Sequence, residues 1–569
     1  MLEKLRLKLA EVDALPQLAL LGVCSGLIAA MVITLFRLLI EETQAGFLPG
    51  ADPENYEALS VIWRFSLPVF GGLGIGLLFH AAKKESTQVG VVHVLERLFY
   101  YQGYMPWRNF ILQFVGAALS IISGHSVGRE GPGIHLGAAS SSFLGQILRL
   151  PNNSMRILIA CGSAASIAAS FNTPIAGVIF AMEVIVMEYT IAGFTPVILA
   201  AVSATVLTRS VFGDEPAFIV PPLELGSMAE LSLVIVLGIV IGALAALFIF
   251  LLQTSAKYTN NLPVWQRMTL AGLVIGLIAI PVPQIMGIGY DTVNMAMLGQ
   301  IGLLTLSAIA LAKLTATSLG VGCGLPGGFI GPLLVIGAAG GGIMGEVAQW
   351  IFGADASSAG FYAMIGMGAM MGATLQAPLA ALMALLELTV NTPIIMPGML
   401  AIVTAGITSS LLSNKRGVFL LLLKAKGLDY RDDPIAQSLR RVGVVSKMNR
   451  SFVRSNRLLE RADARHLLLK EPQWIVIEEE HKPLALLMSA DLLHFITAQQ
   501  QEDIDLLEIP GQRFDSQLIN MRATLQQALD LMDQKQVDAL CVGSIDSEGN
   551  TVVHGILTRQ VIESYYRYK

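Results

Sequence analysis

The chain has 569 residues, 54% hydrophobic and only 14% charged, with a formal net charge of -5. So apolar a chain of this length is excluded from the ordinary soluble classes, and no nucleic-acid partner is expected. It reads as an all-α polytopic membrane protein that ends in a small α/β region.

The first sixteen residues, MLEKLRLKLAEVDALP, mix charges of both signs. They are expected to form a cytoplasmic helix (1–16) rather than a cleavable signal peptide. Apolar stretches follow at 17–36, 61–82, 155–187, 194–212, 231–252, 300–319, 333–351, 361–386 and 394–412, and residues 231–252 carry no charge at all. The basic clusters Lys4/Arg6/Lys8 and Lys415/Arg416, Lys424/Lys426 flank the first and last of these. The positive-inside rule therefore puts both termini in the cytoplasm, as in a multi-pass protein of a prokaryotic inner membrane. The four cysteines, Cys24, Cys161, Cys323 and Cys541, form no paired or metal-ligand spacing and are expected as small buried hydrophobes.

Composition then changes. Residues 441–569 hold 33 of the 79 Asp, Glu, Lys and Arg, whereas 50 of the 55 glycines precede residue 441. This divides the chain into a membrane domain (17–423), a linker (424–442) and a soluble region (443–569).

Within the membrane domain, FNTPIAGVIFAME (171–183) echoes LQAPLAALMALLE (375–387), with an offset of 204 residues from Pro174 to Pro378. Upstream of each lies a glycine-rich breaker before a proline, GREGP (128–132) and GGFIGP (327–332), with an offset of 200 residues from Pro132 to Pro332. Two matches in one order point to an internal repeat with broken helices, the pattern of a transporter whose site lies between its halves. Gly128, Pro132, Gly327, Gly328, Gly331 and Pro332 are the helix-start residues. A proline in a first turn has no N–H to leave unpaired, and the free amides around it face an anion with the positive end of the helix dipole. A glutamate at membrane depth, Glu130, is costly enough to be read as functional.

The three motifs in this order resemble the CLC family of chloride channels and chloride/proton antiporters, over about residues 17–430. The resemblance implies a homodimer in a lipid bilayer, with a separate pore for an inorganic anion in each subunit, built from two inverted antiparallel repeats. Carried over residue by residue, Glu130 matches the gating glutamate. Amides around Arg129, Glu130 and Gly131 are expected at the outer anion site and those of Phe329 and Ile330 at the central one.

Three positions depart from the family pattern. In STQVGVVH (86–93) Gly90 matches, and Val89 stands where a serine hydroxyl is expected; Ser86 or Thr87 substitutes in a shifted register. Phe419 stands where a tyrosine hydroxyl is expected. Val184 stands in place of the inner proton glutamate, directly after Glu183. Each lost hydrogen bond to an ion weighs about 1.5–3 kcal/mol. The expected activity is channel-like anion transport, most simply of chloride, gated by Glu130. Its alternatives are an antiporter with another inner proton route (Glu183, Glu188 or a water wire), or a pore for bicarbonate, nitrate or fluoride. His125 and His135 bracket the motif, either tuning Glu130 with pH or packing between helices.

In the soluble region, ATLQQALDLMDQKQVDALCVG followed by TVVHGILTRQVIESYY resembles a cystathionine-β-synthase-type (CBS) domain, giving a tandem pair at 443–497 and 513–569. Such pairs often bind adenine nucleotides through a Thr or Ser and an Asp three residues on. Here the pattern is split: Asp491 follows Met488, and Thr558 precedes Val561. Dimer contact and coupling to the pore are the simpler expectation. A degenerate pore serving only a sensor is disfavoured by the intact breakers. No nucleophile–base pair or metal cluster points to an enzyme, and no cofactor is expected.

Overall fold

The computed structural model describes residue 9 and residues 14–83, 86–214, 218, 225–413, 416–428, 434–479, 482–545 and 551–567. Most of the expected N-terminal helix and the middle of the expected linker lie outside the described residues.

Two compact units are present: residues 19–147 with 156–430, and residues 431–569 with 1–18 and 148–155. In the first, helices follow in the order α1 (Leu15–Phe47), α2 (Val61–Ala81), α3 (Gly90–Tyr100), α4 (Trp107–Ile122), α5 (Glu130–Ile147), α6 (Asn152–Phe171), α7 (Pro174–Phe180) and α8 (Ile191–Phe212). The second half runs α9 (Leu231–Thr259), α10 (Val264–Ala279), α11 (Tyr290–Met297), α12 (Leu303–Gly322), α13 (Ile330–Phe352), α14 (Ala359–Leu375), α15 (Pro378–Thr389) and α16 (Ile395–Leu412), then α17 (Val418–Ala425). Among the described residues, eight helices are long and apolar enough to cross a membrane.

The repeat is visible bond by bond. After α4, Gly124 N–H donates to Ile121 O (3.0 Å) and Val127 N–H to His125 O (2.8 Å). Two hundred residues on, Gly324 N–H donates to Val321 O (2.9 Å) and Gly327 N–H to Leu325 O (2.9 Å). The two turns then meet head to head: Gly128 N–H donates to Gly328 O (2.7 Å) and Gly328 N–H to Gly128 O (2.8 Å), an antiparallel bridge. Backbone contact recurs deeper in. A Cβ on Gly137 would lie 2.3 Å from the Gly162 carbonyl, and one on Gly337 would lie 2.4 Å from that of Gly366.

Two apolar stretches expected as continuous are broken. The run 155–187 splits at Asn172 (φ 60°) into α6 and α7, and 361–386 splits at Gln376 (φ 55°) into α14 and α15. The Asn/Gln–x–Pro echo is thus a left-handed helix end followed by a proline start. Helices α3, α4, α5, α10, α11 and α17 are absent from the expected spans, being shorter or richer in small and polar residues. Of the cysteines, Cys24 is exposed on α1, against expectation, and the other three are buried.

Helices α7 and α15 cap one another. Glu387 accepts from the amides of Ile175 (3.0 Å) and Ala176 (2.7 Å), and Glu183 accepts from those of Leu379 (3.3 Å) and Ala380 (2.7 Å). First-turn amides have no partner within their own helix, so each carboxylate satisfies two that would otherwise be orphaned in an apolar setting.

In the second unit, α18 (Pro434–Arg440) precedes β1 (Phe452–Asn456), β2 (Leu458–Glu460), α19 (Arg461–Leu468), β3 (Trp474–Glu479), β4 (Lys482–Met488) and α20 (Ser489–Ala498). There follow β5 (Asp503–Asp505), β6 (Arg513–Asn520), α21 (Leu525–Lys535), β7 (Ala539–Ile545), β8 (Thr551–Thr558) and α22 (Arg559–Arg567). One six-stranded sheet runs β1-β3-β4-β6-β7-β8. Strand β1 pairs parallel with β3 and β3 antiparallel with β4; β6, β7 and β8 repeat that pattern, and an antiparallel β4–β6 pair joins the two sets. The Thr524 hydroxyl and Gln527 close a capping box that starts α21.

Replacing Glu387 by Ala leaves two first-turn amides of α7 unpaired, a cost of about 1.5–3 kcal/mol. The apparent Tm of the detergent-solubilised protein should fall, and Glu387→Gln, which keeps an acceptor oxygen, should lose less. Equal Tm values for all three proteins would rule out a stabilising cross-cap.

Candidate functional site

The head-to-head turns aim the first residues of α5 and α13 at one point. Both helices carry proline at their third position, Pro132 and Pro332, where no intrahelical N–H is lost. Glu130 is the first residue of α5 and is 1% exposed. Its carboxylate does not lie on its own helix start. Oε2 accepts from the Gly331 amide of the opposite repeat (3.2 Å), and Oε1 accepts from the Tyr290 hydroxyl (2.5 Å).

The glycines make room for this. A Cβ on Gly128 would lie 2.1 Å from Glu130 Oε2, so a larger residue there would displace the carboxylate. A buried carboxylate without partners is prohibitively costly; here a hydroxyl, an amide and the positive end of α13 oppose that cost.

Arg129 is not the partner of its neighbour Glu130. Its guanidinium donates to Glu41 on α1 (3.0 Å) and to Ser170 O (3.2 Å), and it lies 5.4 Å from the centroid of the Tyr290 ring. Glu41 also accepts from Arg37 (2.6 Å). These groups open onto a cavity of about 390 Å³, lined among others by Arg37, Glu41, Glu54, Arg129, Tyr290 and Asp291.

On the far side of the helix starts the surroundings are apolar. Phe329 precedes α13, and its ring stacks on Phe419 of α17 (5.1 Å between centroids) and tilts against Phe248 (5.7 Å). Ile330 begins α13 and is buried. Val89 precedes α3, which begins at Gly90 in a left-handed conformation (φ 80°). The Gly90 amide donates to Gln113 Oε1 (2.6 Å) on α4, while Gln113 Nε2 is buried without a partner among the described residues. Ser86 is buried in the same loop.

Val184 is buried in a wider helical turn (Ala181–Val186) that follows α7. Its neighbouring carboxylates are engaged: Glu183 with the α15 amides and Glu188 with Arg156 (3.2 Å). The two histidines bond to residues other than Glu130. His125 Nδ1 meets Ser123 Oγ (2.8 Å), and His135 Nε2 meets His93 Nδ1 (2.8 Å). In the α/β unit, a cavity of about 360 Å³ is lined by Arg454, Ser455, Asn456, Asp463, His466 and Glu478 among others, not by Asp491 or Thr558. Among the described residues no group of three His, Cys, Asp or Glu is placed to hold a metal ion.

Reasoning from motifs missed Tyr290, Gln113 and Glu41. Tyr290 was within reach: the 200-residue offset that relates the breakers carries Gly90, the start of α3, onto Tyr290, the start of α11. Gln113 and Glu41 lie outside the motifs, and only tertiary packing brings them in.

Residues 71–410 match the family described as "Voltage gated chloride channel". The "Putative chloride channel protein ClcB-like" of Ralstonia nicotianae is 32% identical over 395 residues, covering 68% of this chain and 91% of that relative. The "H(+)/Cl(-) exchange transporter ClcA" of Vibrio cholerae is 28% identical over 433 residues, covering 73% of this chain and 91% of that relative. A solved slow cyanobacterial Cl-/H+ antiporter shares the fold, with a TM-score of 0.62 at 24% identity over 72% of this chain and 97% of its own. With a family match over more than half of its length, the chain belongs to the voltage-gated chloride channel family.

Proposed function

We propose that this protein conducts anions, chloride first among them, through a pore in each subunit of a membrane-embedded homodimer, with Glu130 as the gate. The observation behind this is the position of the Glu130 carboxylate, which sits on the start of the opposite repeat's helix with Gly331 N–H as donor. A tethered anion there competes with a mobile one. Protonation removes its charge, weakens its hold on the amide and the dipole, and frees the site. Amides from Arg129 to Gly131 then serve the outer position, and those of Phe329 and Ile330 the inner one.

Channel-like conduction is favoured over proton-coupled exchange. Val184 has no titratable group, and the nearby Glu183 and Glu188 are engaged with helix amides and with Arg156. One relative is named a channel and another an exchanger, so this chain's own residues carry the choice. The basic clusters at both ends of the membrane domain support cytoplasmic termini in a prokaryotic inner membrane. The repeated strand–helix–strand–strand–helix order of the α/β unit supports a CBS-type pair that acts in dimer contact rather than nucleotide binding. The cavity lined by Arg454, Asp463 and Glu478 does not include Asp491 or Thr558 in its lining.

Protein in liposomes, followed with chloride and pH electrodes together, should release chloride with no stoichiometric proton movement, and Glu130→Gln should flatten the pH dependence of that release. Uphill proton pumping by a chloride gradient would overturn the channel reading.

A second reading, a preference for a less hydrated anion such as nitrate, is favoured by the Phe329–Phe419 stack and by Val89. An inner site poor in hydroxyl donors recovers less of an ion's lost hydration. Phe419→Tyr should then raise the ratio of chloride to nitrate flux, by about tenfold for one regained ion hydrogen bond. An unchanged ratio would remove Phe419 from selectivity.

A further inference from the structure

Tyr290 belongs to none of the motifs that single out Glu130, yet its hydroxyl is the shortest contact of that carboxylate, at 2.5 Å to Oε1. This length is in the range of a hydroxyl donating to an ionised carboxylate. We propose that Tyr290 is a positioning residue, a latch that holds the Glu130 carboxylate on the start of α13 and so sets the pH at which the pore opens. The proposal rests on the reading of Glu130 as gate.

The ring of Tyr290 is fixed independently of its hydroxyl. It packs against Phe171 (6.1 Å between centroids) and Phe218 (5.5 Å, edge to face) and lies beneath the Arg129 guanidinium. Its backbone is fixed as well. Gly289 precedes it in a left-handed conformation (φ 90°), and the buried Lys313 donates to Ile285 O and Gly287 O, both at 3.0 Å, holding the approach to α11. The next amide, of Asp291, donates to Glu54 (3.0 Å). Removing the hydroxyl alone therefore removes one donor from Glu130 and leaves the wall of the site in place.

Tyr290 also lines the cavity of about 390 Å³ onto which Arg129 opens. The ionisable groups facing this region are Arg37 and Glu41 on α1, Asp52 and Glu54 between α1 and α2, Arg129 before α5, Arg209 on α8, Asp291 on α11 and Lys313 on α12. Tyr290→Phe replaces none of these side chains. While Glu130 is ionised, the hydroxyl donates to it. Once Glu130 is protonated and leaves, the same donor is free for the arriving anion. The bond stabilises only the ionised, closed form, so its loss moves opening to higher pH.

The test is the pH dependence of chloride efflux from liposomes containing the full chain, for the wild type, Tyr290→Phe, Glu130→Gln and the double variant. Tyr290→Phe should shift the midpoint of opening upward by about one to two pH units, as expected for loss of one charge-assisted hydrogen bond. The same substitution should produce no shift in the Glu130→Gln background. An unmoved midpoint, a uniform scaling of flux at every pH, or an equal effect without Glu130 would overturn the latch. A Glu130→Gln protein that keeps the wild-type pH profile would instead overturn the gate assignment, a separable result. Should Tyr290→Phe fail to assemble, 3-fluorotyrosine at position 290 keeps the ring and strengthens the donor. Its midpoint should then move to lower pH, and movement upward would count against the latch.

Discussion

The arrangement depends on one carboxylate held across a symmetry. Glu130 begins a helix of the first repeat and is bound by an amide that begins a helix of the second. Tyr290 supplies one donor of that hold, and the amide half comes from the head-to-head meeting of two glycine-rich turns. Their mutual backbone bonds, Gly128 to Gly328 and back, bring the helix starts together with no side chain between them. A carboxylate so buried needs dipoles fixed around it to offset its lost hydration. The glycines and prolines of both breakers serve that end.

The same economy recurs at α7 and α15. There each repeat supplies a carboxylate, Glu183 or Glu387, to the open amides of its counterpart. Short helices in an apolar setting leave a large share of their backbone unpaired, and reciprocal capping solves this for both at once. It also gives Glu183 a structural task, which weighs against its use as a proton carrier. The Phe329–Phe419 stack is apolar where the family pattern has a tyrosine hydroxyl, while the glutamate at the start of α5 is kept.

Much of this was legible in the sequence because the repeat leaves marks that do not depend on packing. GREGP and GGFIGP mark helix starts by their backbone chemistry, and the Asn/Gln–x–Pro echo marks helix ends and restarts. What was not legible falls into two kinds. Helices such as α4 and α5 escaped because close helix packing selects small and polar residues, which lowers their apolar signal. The partners of Arg129 and Glu130 escaped because Glu41 and Tyr290 lie far away in the chain, and only the fold brings them near. Arg129 and Glu130 are adjacent in sequence, yet the structure sends one toward α1 and the other toward α13.

We propose that the Glu130 carboxylate occupies an anion's place. The most direct measurement is anomalous diffraction from crystals of the Glu130→Gln protein grown in bromide. A bromide peak is expected within hydrogen-bond reach of the Gly331 amide and the Tyr290 hydroxyl, with the glutamine side chain displaced. A glutamine still bound to both donors, with no bromide beside them, would contradict it.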